Sequence, residues 1–494
     1  MPIWALILTL IYIFTLLFVF TFSLVQLHLV YHYLFTTKNS AKAAFKISDT
    51  LPKVTIQLPI FNEMYVVERL LDAVSKIEYP LQLLEIQVLD DSTDETSSII
   101  AKKITELQKK GFDINQIKRQ NRAGFKAGAL AFGTGIAKGE FIAIFDADFL
   151  PKPSFLLEAL PSFDNDKIGM VQSRWLHINE NYSLLTQLQA FGLDAHFTID
   201  QVGRNVAGLF SNFNGTGGIW RKTCIENAGG WAADCLTEDL DLSYRAQIKG
   251  WKFIYLEKLG NLAELPAEIQ AVKTQQFRWA KGAAEVARKL IFTILKQPQL
   301  SFSIKIHSFF HLANSATYLG LMLTALLTLP IVIIQKKYPQ IANLLDFAQY
   351  FQLSFVFLGI YFWVSFRQKH KNFIYFLGFY PRFLAFMMGL SLYNSVGVLQ
   401  GYFGKKTAFI RTPKFNINSK ADNWYKKTYV VSKVNFYLIF EGILCIYFLF
   451  ALWYVFENKA YGSIPFLSML LFGYLSVFGY GIWHRLYYIT HSRK

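Results

Sequence analysis

The sequence predicts an α/β domain set among membrane-spanning helices, and three observations carry that expectation. Hydrophobic residues make up 53 % of the chain and charged residues 17 %, where a soluble domain carries about 25 % charged residues. Residues 3–27 contain no charge, and about 20 apolar residues suffice to cross a bilayer. Between residues 51 and 300, short apolar runs alternate with helical patterns, which implies a parallel sheet covered by helices. This composition excludes a disordered chain, a small disulfide scaffold and a wholly soluble enzyme.

The N-terminal run lacks the basic start and short apolar core of a cleavable signal, so residues 1–35 read as a retained transmembrane anchor. Residues 36–50 form a basic linker with Lys38, Lys42 and Lys46, and Lys53 follows. In 51–279 the runs Val54–Ile60, Glu85–Leu89, Phe141–Phe145, Ile168–Gln172 and Trp251–Leu256 read as strands. Val66–Ile77, Glu95–Lys109 and Gly124–Lys138 read as helices between them. Residues 280–305, with Lys281, Arg288 and Lys289, read as an interfacial amphipathic helix. Two transmembrane helices follow in 306–366, from the runs Ile306–Gln335 and Phe347–Phe366. Residues 367–404, broken by Pro381 and Arg382, form an interfacial segment. A basic loop occupies 405–433, and 434–494 holds two more helices and a basic tail.

Charge sets the expected topology. The loop 405–433 carries eight Lys and Arg against Asp422 alone, and such loops stay in the cytosol. Five spans put that loop, the linker, Arg367–Lys371 and the tail on one side; six would put one basic loop outside. The net charge of +16 therefore points to the lipid bilayer and its anionic headgroups. No nucleic-acid recognition motif accompanies it. Cys224, Cys235 and Cys445 make no metal-ligand spacing and read as reduced thiols.

Five motifs carry chemistry. Asp90-Asp91-Ser92-Thr93 ends a strand, where open α/β sheets bind ligands; Ser92 and Glu95 also fit a capping box. Asp146-Ala147-Asp148 ends an apolar strand and offers two carboxylates to a hard cation. Arg122-Ala123-Gly124-Phe125-Lys126-Ala127-Gly128 joins two cations that suit a diphosphate to two glycines that permit close backbone approach, or is an exposed loop feeding a helix. Thr237-Glu238-Asp239 starts a helix, where acids favour the dipole or supply a general base. Gln275-Gln276-Phe277-Arg278-Trp279 precedes the basic amphipathic stretch and suits sugar stacking and phosphate binding, or anchoring at a membrane border.

Together and in this order, from Val54 to about Arg288, these motifs resemble the inverting glycosyltransferases of family 2, and within it the processive cellulose-synthase-like branch. Gln57–Glu63, Asp90–Thr93, Arg122–Leu130, Phe213–Gly218, Gly250–Phe253 and Glu264–Pro266 are most similar to plant mannan- and glucan-synthase-like enzymes. Phe409–Lys414 resembles the gating-loop motif of cellulose synthases. The resemblance implies a GT-A-type, Rossmann-like domain on a transmembrane bundle that passes the growing chain outward. It implies inverting transfer of a hexose from a UDP- or GDP-sugar to a growing β-glycan. Asp239 would be the catalytic base, beside Thr237 and Glu238. Asp148 and Asp146 would hold Mg²⁺ or Mn²⁺. Pro59, Glu63, Asp90, Asp91, Arg122, Lys126, Asp146 and Arg278 would hold the nucleotide. Trp279, Gln275, Gly215 and Thr216 would hold the acceptor, and Phe409, Arg411, Thr412 and Lys414 the gating loop. DDST in place of DDG, and FNGTGG in place of FFCGS, leave the donor sugar open between glucose and mannose. Two other readings stand beside this one: single transfer to a lipid or lipid phosphate, and a transporter or receptor with no enzymatic activity.

Overall fold

The computed structural model describes residues 2–36, 51–429 and 436–491. Lys38, Lys42 and Lys46 of the expected linker, Lys433 of the basic loop and the last three residues of the tail lie outside them.

Seven strands form one sheet: β1 (Val54–Ile60), β2 (Leu84–Asp90), β3 (Asp113–Ile117), β4 (Phe141–Ile144), β5 (Ile168–His177), β6 (Gly218–Arg221) and β7 (Lys252–Ala263). Their order is β3-β2-β1-β4-β6-β5-β7. The central strands β1 and β2 are buried on both faces, and their alternate polar residues pair across the two strands, Thr55 with Glu85 and Gln57 with Gln87. Val54, Ile56 and Leu58 of β1, and Ile86 and Val88 of β2, are buried. Helices Val67–Val74, Thr96–Lys109 and Phe125–Ile136 lie where the sequence places helices.

The sheet is not wholly parallel, because β6 runs antiparallel to β4 and β5. Two of the strands, β3 and β6, have no apolar run that marks them in the sequence. The edge strand β3 is Asp-Ile-Asn-Gln-Ile and half exposed, so it lacks an apolar run. The strand β6 has four residues behind paired glycines. From β1 the chain adds β2 and β3 on one side and β4 on the other. A crevice opens at the carboxyl ends of such strands.

Among the described residues, five helices are long and apolar enough to cross a membrane: Ile3–Phe35, Ala316–Lys337, Pro339–Phe366, Tyr437–Glu457 and Tyr461–Thr490. Phe373–Gly389 and Ser391–Tyr402, bent by 51°, make a sixth if the pair counts as one span. This pair is built into the bundle through its glycines. A Cβ on Gly389 would lie 2.3 Å from the Gly473 carbonyl oxygen, and one on Gly401 would lie 2.6 Å from that of Lys281. The expected single run 306–335 breaks at residues 313–315, between helices Phe302–Leu312 and Ala316–Lys337. The expected boundary between 279 and 280 falls inside one continuous helix, Ile269–Lys296. Glu268 caps that helix by accepting from the amides of Gln270 and Ala271, both at 2.8 Å.

An ion pair pins this helix to the bundle. Lys273 Nζ donates to both carboxylate oxygens of Glu441, at 2.7 and 2.8 Å, and both side chains are buried. Breaking a buried pair strands the remaining charge and costs about 3–5 kcal/mol. Glu441→Ala is therefore expected to lower the thermal midpoint of the detergent-purified protein by several degrees. An unchanged midpoint would show that the pair contributes little to stability.

Candidate active site

The crevice at the carboxyl ends of β1, β2 and β4 is lined from three directions. The sheet contributes Pro59, Glu63, Asp91, Asp146 and Asp148. The helices contribute Lys126, Glu238, Asp239, Gln275, Arg278 and Trp279. The basic loop contributes Phe409, Arg411, Thr412 and Lys414.

The ends of β1 and β2 are tied together. Asn62, at φ 54°, donates from its amide to Ser92 Oγ at 3.0 Å and accepts from the Thr93 amide at 2.8 Å. This places Asp91 at the cleft wall. Arg119 Nε donates to Asp91 Oδ1 at 3.0 Å, and the Arg119 guanidinium also contacts Oδ2. Arg119 is a supporting residue that sequence reasoning misses, because it sits after a polar edge strand with no motif around it. The Arg122 guanidinium lies 3.3 Å from the centroid of the Phe61 ring, a cation–π contact.

Asp90 and Thr216 do not line the cleft, in contrast to the expectation. Asp90 accepts from the Ser92 amide at 2.9 Å and from Gln116 Nε2 at 2.8 Å. It shapes the turn, because the side chains of β2 alternate and its own points away. Thr216 is fully buried and accepts from the Asp146 amide at 2.9 Å, so it positions the Asp146 backbone.

The two carboxylates of Asp146-Ala147-Asp148 each meet a lysine. Lys126 Nζ donates to Asp146 Oδ1 and, at 2.9 Å, to the Gly215 carbonyl. Lys414 Nζ donates to Asp148 Oδ2 at 2.7 Å. The second oxygens, Asp146 Oδ2 and Asp148 Oδ1, have no hydrogen bond among the described residues. Two carboxylates with one free oxygen each, facing a cationic cleft, fit a divalent ion that shares its ligands with substrate phosphates.

Glu238 and Asp239 open the helix Glu238–Ile248. Burial pushes Asp239 up to about 7, and the neighbouring Glu238 pushes the same way. Burial also raises Glu238. Lys126 is raised by Asp146, although its own burial acts in the opposite direction. Asp239 Oδ1 accepts from the Leu240 amide at 2.8 Å. Its Oδ2 faces Gly215, where a Cβ would come within 2.8 Å and where φ is +82°. Only glycine relieves both constraints. Thr237 packs against Gly282, where a Cβ would lie 2.4 Å from the Thr237 methyl.

The basic loop lies across the cleft. The Arg411 Nη1 atom is 3.1 Å from Glu63 Oε2. Burial pushes the Glu63 carboxyl up to about 8 while Arg411 pulls it down. Phe409 stacks on Phe125 with centroids 5.9 Å apart, and the Arg278 guanidinium lies 4.7 Å from the Phe409 ring. His177, Trp175, Asn214 and Glu264 also line the cleft, and the sequence assigns no role to them. Burial pushes His177 down to about 4, so it is neutral at pH 7.

Known proteins resemble this chain in sequence and in fold. Residues 52–282 match the family model described as glycosyltransferase like family 2. The chain is 41 % identical over 271 residues to glucomannan 4-beta-mannosyltransferase 2 of Arabidopsis thaliana, covering 53 % of this chain and 51 % of that protein. It is 39 % identical over 265 residues to glucomannan 4-beta-mannosyltransferase 1 of Oryza sativa subsp. japonica, covering 53 % and 51 %. The chain thus spans about half the length of these curated relatives. Mannosyltransferase PcManGT of Pyrobaculum calidifontis, solved with GDP-Man and Mn²⁺, superposes with a TM-score of 0.53 at 17 % identity, over 81 % of this chain and all of that one. The matched segment is a glycosyltransferase family 2 domain of the cellulose-synthase-like branch, with a GT-A-type fold.

A base at position 239 works only as the carboxylate. With its pKa raised from 3.8 to about 7, kcat/KM should climb with pH through about 7 and then level. The same shift stabilises the fold below pH 3.8, and that contribution is lost as pH rises through about 7. Glu238→Gln removes a charge that raises Asp239, so the acidic limb should move to lower pH. A limb that stays in place or moves upward would remove Asp239 as its source.

Proposed function

We propose that the protein is a processive, inverting β-glycosyltransferase that polymerises a hexose from UDP-glucose or GDP-mannose and passes the β-glycan across the membrane. The observation that carries this reading is the convergence of three groups on one cleft. These are the raised carboxyl of Asp239, the Asp146/Asp148 pair, and Gln275, Arg278 and Trp279 beneath the docked loop. Kinship to 4-beta-mannosyltransferases supports a β-linked hexose product. Five or six apolar helices support synthesis at a membrane, with the basic loop on the cytosolic side by charge.

The acceptor hydroxyl oxygen attacks the anomeric carbon from the face opposite the nucleotide. The new C–O bond forms as the bond to the diphosphate breaks, and the hydroxyl proton passes to Asp239. A partly protonated base near neutral pH matches this task. Asp148 and Asp146 would hold Mg²⁺ or Mn²⁺, which supplies positive charge beside the leaving diphosphate. Lys126 and Arg278 bring further positive charge to the same side. Asp91, braced by Arg119, faces the nucleoside end, with Pro59 and Arg122 beside it. Trp279 offers its ring to the acceptor sugar, with Gln275 and Gly215 nearby. The loop residues Arg411, Thr412 and Lys414 cover the donor and keep water from the anomeric carbon.

Asp239→Asn should cut transfer by about 10²–10⁴-fold while leaving nucleotide binding close to that of the wild type. Near-normal turnover would take the base role from Asp239. Asp148→Ala should lose divalent-dependent donor binding, and EDTA should silence the wild type. Activity that resists EDTA would overturn the metal assignment. Membranes incubated with labelled UDP-glucose and GDP-mannose would name the donor, and product size on a gel separates polymerisation from single transfer. A single-sugar lipid product would support the non-processive reading instead.

A further inference from the structure

One of the residues that hold the loop over the cleft lies outside the expected site. Glu264 follows β7 and is 3 % exposed. Its carboxylate reaches the loop backbone, with Oε1 accepting from the Phe415 amide at 2.8 Å. Its Oε2 accepts from Arg69 Nη2 at 3.1 Å. Arg69 in turn donates from Nη1 to Asn416 Oδ1 at 2.7 Å and to Asn418 Oδ1 at 3.1 Å. The main chain of Glu264 reaches the site. Its amide donates to Asp148 Oδ2 at 3.2 Å, and its carbonyl accepts from Lys414 Nζ. One residue therefore touches both the carboxylate of the expected cation site and the loop segment that brings Lys414 to it.

We propose that Glu264 is a positioning residue that couples docking of loop residues 411–418 to the orientation of Asp148. The proposal rests on the transferase reading for its kinetic consequence, but its structural consequence does not depend on that reading. A buried carboxylate needs partners, and these are Arg69 and the loop's own amide. The Phe415 amide is as dependent on Glu264, because a buried N–H without an acceptor is costly. Phe415 and Ile417 then pack with Ala267 and Trp424. Asn416, held at φ 54° and gripped by Arg69, turns the chain between them. Closing the loop and completing the cation site become one event. The ligand that drives it carries the chemistry of a divalent cation with a diphosphate.

A merely structural role for Glu264 predicts a uniform loss of protein. Coupling predicts a local and selective effect. Hydrogen exchange on the full-length protein in detergent reads the docking directly. In Glu264→Ala, exchange within 411–418 should rise about tenfold or more, while β1, β2 and β4 stay protected. In Glu264→Gln, whose amide oxygen still accepts from Phe415, much of that protection should return. With labelled donor, Glu264→Ala should raise the donor KM about tenfold with a smaller change in kcat, and Glu264→Gln should recover most of the loss. Unchanged exchange in 411–418 would overturn the proposal, as would equal losses in kcat for both variants at unchanged KM. If Glu264→Ala does not fold, Arg69→Gln carries the same exchange test from the other end of the network. If the wild type transfers from no donor, the transferase reading falls, while the exchange result still decides whether Glu264 docks the loop.

Discussion

Countering buried negative charge is the constraint on which the rest of this structure depends. Glu63, Asp91, Asp146, Asp148, Glu238, Asp239 and Glu264 crowd one cleft. Carboxylates taken from water at this density ionise only if cations stand beside them. Lys126 comes from a helix behind the sheet, Arg278 from the long helix Ile269–Lys296, and Arg411 and Lys414 from the loop. Where the cations are close, as for Asp91 with Arg119, the carboxylate is braced. Where burial outweighs them, as for Asp239, the group retains its proton to about pH 7. Perturbed carboxyls gathered in one cleft are the kind of arrangement that the proposed cation and base roles would draw on.

The membrane helices serve this cleft as well as the bilayer. Arg278 and Trp279 ride on the helix that Lys273 pins to Glu441 in the bundle. The bent pair Phe373–Tyr402 packs its glycines against that helix and against Ile464–His491. Residues that line the cleft and residues packed in the helix bundle thus share one helix.

Much of the site was legible in the sequence because its chemistry sits at strand ends. Asp91, Asp146 and Asp148 each follow an apolar run whose end marks the carboxyl edge of a sheet. Thr237-Glu238-Asp239 and Gln275…Trp279 stand out as motifs, and all of them line the cleft. Asp90 was misplaced because two adjacent acids at a strand end look alike in sequence, while the pleat sends them to opposite sides. Thr216 was misplaced because a hydroxyl beside a functional glycine reads as a ligand, yet it serves the Asp146 amide. Arg119 and Glu264 carry no local signal of their roles, because their partners lie 28 and 151 residues away in the chain.

Local pattern by itself determined the class of this protein. Runs of apolar residues declare buried strands and membrane helices, because burial repeats with the period of the element. Short acidic and basic motifs declare the chemistry, because metal, phosphate and proton transfer each demand particular side chains. Tertiary structure alone decided the rest. It turned β6 antiparallel, recruited a polar edge strand as β3, and fused two expected segments into the helix Ile269–Lys296. It also set Lys414 on Asp148 and Phe415 on Glu264, across separations of 266 and 151 residues. Such pairings depend on three-dimensional proximity and on the shared need of buried charges and amides for partners, and neither has a period that a linear sequence can display.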